Sequence, residues 1–291
     1  MSAAKPPASA GVVHGSASVR RLLWARSLRA FGDGYVSLLL PVYLIGLGLT
    51  PLQVGAIATG TLLGSGALTL LVGLRANHFG SRAMLLAAAA LMCATGVGFA
   101  SIASFWPLLV VAVVGTLNPS SGDVSVFLPL EHAVLAHVVS DRERTGAFAR
   151  YSLAGALAGA IGALFAAAPE FLAGALKLEP RALYPWMFVL YAALGAVSGL
   201  IYRKLPAAGS VATGVPAAPL KESKRIVYTL AALFSLDAFG GGFIVQSLLA
   251  LWLFERFELS TAVAGTIFFW TGVLSAFSFL VAARIAKSRR R

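Results

Sequence analysis

The sequence predicts an all-α polytopic membrane protein, a six-helix N-terminal bundle followed by the first two helices of a second bundle built on the same plan. Hydrophobic residues make up 58% of the 291 residues and charged residues only 12%. With a mean hydropathy of +0.84, this composition excludes an ordinary soluble domain. A helix needs about 20 apolar residues to cross a bilayer. The chain supplies such runs at 22–47, 52–74, 83–103, 107–138, 146–168, 183–203, 226–254 and 260–285. It also repeats itself. Phe31-Gly32-Asp33-Gly34-Tyr35 stands in one long apolar run, and Phe239-Gly240-Gly241-Gly242-Phe243 stands in another. Each run is followed by a short break, Leu49-Thr50-Pro51-Leu52 or Leu259-Ser260-Thr261-Ala262, and then by a second apolar run. Parallel repeats of this kind are a mark of secondary transporters, whose halves rock about a site between them.

Taken in order, residues 1–19 are rich in Ala, Pro and Ser with no apolar core of a cleavable signal, and read as a disordered cytoplasmic arm. Residues 20–204 hold six spans. The fourth, 107–138, is long for one crossing and is expected to tilt or to project into the cytosol. Residues 205–224, with their prolines, alanines and glycines, break the hydropathy and form a cytoplasmic linker. Residues 225–291 form a partial second bundle of two helices. Cys93, the single cysteine, lies in the third run and suits packing. Glu131, His132 and His137 miss the spacing and order of a zinc helix, so no metal and no other cofactor is expected.

Charge sets the orientation, because short cytoplasmic loops collect Lys and Arg. Arg20, Arg21, Arg26, Arg29, Arg75, Arg82, Arg142, Arg144, Arg203, Lys204, Lys221, Lys224, Arg225, Arg284 and Lys287 fall on one side. The loops at 48–51 and 104–106 are uncharged, and those at 169–182 and 255–258 carry no net positive charge. Both termini are therefore expected in the cytoplasm of a multi-pass cell-membrane protein. The net charge of +12 follows from this topology, with anionic lipid as its partner, and calls for no nucleic acid.

Ionisable groups inside a membrane are costly and line cavities or relays. At 1.5 Å per residue, Asp33 lies about 18 Å from the cytosolic start of its helix, Asp237 about 16 Å into the seventh, and Asp123 about 22 Å from the cytosolic end of the fourth. Asp123 closes a polar stretch that begins at Asn118-Pro119. Such backbone at membrane depth is tolerated only when buried in protein or facing water. Asp33, Asn118, Asp123, Asp237 and Gln246 are thus the candidates for a substrate and proton pathway. Asp237 is about one turn from the repeat equivalent of Asp33, and is expected to face the same cavity. Glu131 and Arg150 lie at matched depth on either side of the turn at 140–141, and are expected to pair as a static ion pair or as a gate. Arg29 and Asp33, four apart on one face, invite the same two readings. Gly155, Gly159 and Gly162 form a small-residue packing face.

On these residues the chain resembles the major facilitator superfamily. That family carries Gly-x-x-x-Asp-(Arg/Lys)-x-Gly-Arg-(Arg/Lys) between its second and third helices. Here Gly73, Gly80 and Arg82 match, while Asn77 replaces the acid, His78 the first base and Ser81 the middle arginine. Asp141-Arg142-Glu143-Arg144 after the fourth helix is similar to the corresponding family loop. The resemblance implies twelve helices, alternating access, and a loop latch at Gly73, Asn77, Gly80, Arg82, Asp141 and Arg144. The chain therefore reads as a fragment or shortened form after about eight helices, one that needs the further helices or a second chain.

The expected function is secondary active transport of a small-molecule solute, with protons as the expected drive. The alternative is a non-transporting membrane assembly protein derived from a transporter. No nucleophile and base stand at usable spacing, so an enzyme is not expected. Reporter fusions placed in 205–224 are expected to read as cytoplasmic, and an external signal there would overturn the topology.

Overall fold

The computed structural model describes residues 9–75, 79–120, 125–206, 224–242 and 244–288. Within them the protein is helical. The elements are α1 (Ser9–Gly46), α2 (Pro51–Arg75), α3 (Ser81–Ser101), α4 (Phe105–Val114), α5 (Phe127–Val138), α6 (Asp141–Phe165), α7 (Ala168–Leu176), α8 (Pro180–Arg203), α9 (Lys224–Gly242), α10 (Gln246–Phe257) and α11 (Thr261–Ser288). Among the described residues, stretches of six helices are long and apolar enough to cross a membrane: those containing α1, α2, α3, α6, α8 and α11. The protein is a multi-pass membrane protein.

α1 is the axis of the assembly. It packs most extensively on α6, then on α8, and also touches α2, α5, α10 and α11. Leu22, Tyr35, Leu38, Leu39, Leu40 and Leu44 are buried on it, and a helix that is apolar nearly all round belongs inside. α3 packs on α8, α2 on α4, and α11 on α6. Trp106, Leu52, Leu63 and Leu74 point outward, as lipid-facing side chains do. Association in lipid relies on close van der Waals packing, which favours small residues at the seams. The α1–α6 seam shows this directly. A Cβ at Gly34 would collide with the carbonyl of Gly159, and one at Gly162 with that of Phe31.

Several elements differ from the sequence expectation. α1 begins at Ser9, inside the segment read as a disordered arm. The fourth span is not one long helix. It breaks into α4 and α5, because Gly115 ends the first piece in extended backbone and Pro119 cannot donate to a continuing ladder. Side chains take over the backbone groups: Thr95 Oγ1 accepts from the Thr116 amide at 3.2 Å, and Asn118 Oδ1 from the Ser120 amide at 3.1 Å. The seventh span also breaks, into α9 and α10, after three consecutive glycines, each about 1 kcal/mol poorer than alanine in a helix. The loop at 169–182 contains α7, ended by Lys177 in the left-handed region at φ 56°.

Leucine at Gly162 is expected to lower thermal stability in detergent by the equivalent of about 1–3 kcal/mol or more, the usual cost of overpacking. Leucine at the exposed Gly146, where an added Cβ meets nothing within 4 Å, is expected to leave the melting temperature unchanged.

Candidate functional site

Arg26, Arg29, Asp33 and Ser37 stand at i, i+3, i+7 and i+11 on α1, so at 100° per residue they share one face over about 16 Å. All four are buried. This stripe organises three tiers of polar contacts.

The lowest tier is a closed network around Glu131 of α5, which is fully buried. Arg29 Nη2 and the Tyr151 hydroxyl donate to Glu131 Oε2. The Tyr202 hydroxyl donates to Oε1 at 2.6 Å and accepts from Arg29 Nε at 3.0 Å. The Arg29 guanidinium lies 4.1 Å from the centroid of the Phe127 ring, and that of Arg26 lies 5.4 Å from the centroid of Tyr151. A buried carboxylate is tolerable when its lone pairs are filled and a cation opposes it, and both conditions hold here.

The middle tier is Asp33. The Tyr191 hydroxyl of α8 lies 3.4 Å from Asp33 Oδ1 and 3.2 Å from the Thr116 carbonyl, at the start of the α4/α5 break. Arg29 and Arg26 are the cations whose fields reach the Asp33 carboxyl. Two arginines thus balance two carboxyl groups along the stripe, which keeps the low-dielectric interior near neutrality when both acids are ionised.

The upper tier joins α10 to α1 and to the break after α4. Gln246 Nε2 donates to Ser37 Oγ at 3.0 Å. The Ser247 hydroxyl faces both the Ser37 carbonyl at 2.6 Å and the Pro119 carbonyl at 2.8 Å. The Ser247 amide donates to the same Pro119 carbonyl at 3.0 Å. The breaks in the fourth and seventh spans therefore meet α1 one turn beyond Asp33.

The expected Glu131–Arg150 pair is not formed. Arg150 is exposed, and the next residue of α6, Tyr151, turned 100° around the helix, faces Glu131 instead. Arg29 is Glu131's ionic partner, so it is bonded to Glu131 rather than to Asp33. Asn118 is buried at the break, and Gln246 bonds to Ser37. Asp237 is not brought to Asp33: it is exposed on α9, whose residues 224–240 are all exposed. Asp123 and Asn77 lie outside the described residues. Gly73 is exposed near the end of α2, Gly80 caps α3, and Arg82 is half-buried. Asp141 opens α6, and Arg144 Nη2 donates to the Ala136 carbonyl at 3.1 Å, tying α6 to the end of α5. Sequence reasoning missed Ser37, Tyr151, Tyr191, Tyr202 and Ser247 as site residues. The spacing of Tyr184, Tyr191 and Tyr202 along one face of α8 was the available signal.

Removing Arg29 alone, as Arg29→Met, is expected to cost about 3–5 kcal/mol, because Glu131 is left buried without its cation. Arg29→Met with Glu131→Met is expected to recover more than half of that loss, read as melting temperature in detergent.

The Major Facilitator Superfamily family model matches residues 22–291. The uncharacterised membrane protein YJR124C of Saccharomyces cerevisiae is 26% identical over 302 aligned positions, which cover 92% of this chain and 67% of that protein. Among solved structures, a bacterial homologue of the human lysosomal transporter Spinster, inward-facing and unoccupied, superposes with a TM-score of 0.64 at 16% identity. That match covers 94% of this chain and 61% of the homologue. A D-xylose–proton symporter gives a TM-score of 0.55 at 18% identity, over 95% of this chain and 69% of the symporter. The chain thus spans about two thirds of the length of these proteins, and the structural likeness carries the fold. With nearly its whole length matched by the family model, the chain belongs to the Major Facilitator Superfamily.

Proposed function

We propose that the chain serves secondary active transport of a small solute by alternating access, with protons as the coupling ion, in the cell membrane and with both termini cytoplasmic. The observation that carries this reading is the meeting of two interrupted spans on α1, one turn from the buried Asp33. Interrupted helices at a repeat interface supply backbone groups and polar side chains at membrane depth, where a solute needs them. Kinship with a protein named as a proton symporter supports the choice of ion. The pathway residues in this reading are Asp33, Asn118 and Gln246, with Asp123 and Asp237 joining in other states of the cycle. Arg29 and Glu131 hold the bundle beneath them. Gly73, Asn77, Gly80, Arg82, Asp141 and Arg144 form the cytoplasmic loop latch.

Asp33 is the coupling residue. Gly32 and Gly34 flank it and let α8 and α6 approach closely, so its carboxyl is buried beside the Tyr191 hydroxyl, and a proton there alters the charge balance of the stripe by one unit. Solutes are first screened for thermal stabilisation of the purified protein, and the stabilising solute is then used in proteoliposomes. Asp33→Asn is expected to abolish proton-driven accumulation while exchange down a solute gradient survives. If the variant still concentrates solute under a proton gradient, Asp33 is not the coupling site.

A further inference from the structure

The Tyr191 hydroxyl has one hydrogen and two acceptors, Asp33 Oδ1 at 3.4 Å and the Thr116 carbonyl at 3.2 Å. Thr116 opens the break in the fourth span, and its amide is fixed to Thr95 of α3. Three residues further on, the Pro119 carbonyl accepts from the Ser247 amide and lies 2.8 Å from the Ser247 hydroxyl. Ser247 in turn reaches the Ser37 carbonyl, one turn from Asp33 on α1. The contacts form a circuit that leaves Asp33 through α8, passes along the broken span to the second repeat copy, and returns to α1.

From this circuit we infer that Tyr191 is a positioning residue that passes the charge state of Asp33 to the Ser37–Pro119–Ser247 contact, which acts as the gate between the two repeat copies. The inference rests on the proton-coupled reading of Asp33 above. An ionised carboxylate is the stronger acceptor, so it draws the Tyr191 hydroxyl away from Thr116 and frees the start of the break. The gate then loosens. Once Asp33 takes a proton from water on the open side, the hydroxyl returns to the Thr116 carbonyl and holds Pro119 where Ser247 can bond to it. Tyr191 keeps its own proton throughout and changes only its acceptor. Among the described residues, the other charged and titratable groups facing Asp33 are Arg26, Arg29 and Tyr35 on its own helix, with Glu131 of α5 beyond Arg29.

The test measures the separation of the two copies at the gate end. Spin labels are placed at the exposed positions Leu52, at the start of α2, and Phe257, at the end of α10, as Leu52→Cys and Phe257→Cys in a Cys93→Ala background. The purified full chain is measured in mildly acidic and mildly alkaline buffer. The parent is expected to show a shorter distance in acid, Tyr191→Phe to lose this shift, and Asp33→Asn to stay at the short distance in both buffers. Ser247→Ala is expected to stay long in both. A parent-like shift in Tyr191→Phe, a parent with no shift, or a short acid distance in Ser247→Ala would each overturn the inference. A purely structural Tyr191 would lower the melting temperature and leave the shift in place. If Tyr191→Phe does not fold, the Asp33→Asn and Ser247→Ala distances decide. The proton-coupled transport reading falls separately, on the accumulation assay of Asp33→Asn.

Discussion

The arrangement depends on charge neutrality along one face of α1. Two arginines and two carboxyl groups share a buried space in which an isolated ion would cost several kcal/mol or more. Among the described residues, Glu131 meets that constraint with three donors and Asp33 with one long contact. The difference separates their roles. Glu131 is locked by four helices at once, and so fixes how α1, α5, α6 and α8 stand against one another. Asp33, a turn away, has the weaker hold, which suits the changing charge proposed for it.

Packing at the seams reinforces this division. Where α1 meets α6, backbone lies against backbone through Gly34, Gly159 and Gly162, and α11 approaches α6 through Gly265, whose added Cβ would sit 2.6 Å from the Ala163 carbonyl. Seams this close leave little freedom to slide. The interruptions of the helices lie elsewhere, around Thr116–Pro119 and between α9 and α10.

Much of this was legible in the sequence. Composition and run length point to the all-α membrane class, and the glycines at 155, 159 and 162 read as the packing face that the structure shows. The depth of Glu131 could be counted from the turn, but its azimuth could not, and a one-residue error around α6 exchanged Arg150 for Tyr151. The polar stretch after Asn118 was seen as unusual, yet a hydropathy run of 107–138 does not reveal that side chains take over the backbone bonds there. Asp237 was matched to Asp33 by repeat arithmetic. That arithmetic assumes both copies pack alike, whereas α9 stands clear of the bundle and α1 is enclosed by it.

The two copies of the Phe-Gly motif have diverged to opposite mechanical ends. In the first, an aspartate between two glycines leaves the helix unbroken, so α1 runs from Ser9 to Gly46 as one rod. In the second, a third glycine replaces the acid and the helix stops. A rod carries displacement along its length, whereas two separate helices do not. α10 is bonded to α1 through Gln246 and Ser247, while residues 224–240 of α9 are all exposed. One end of this span is thus tied to the first helix and the other is not.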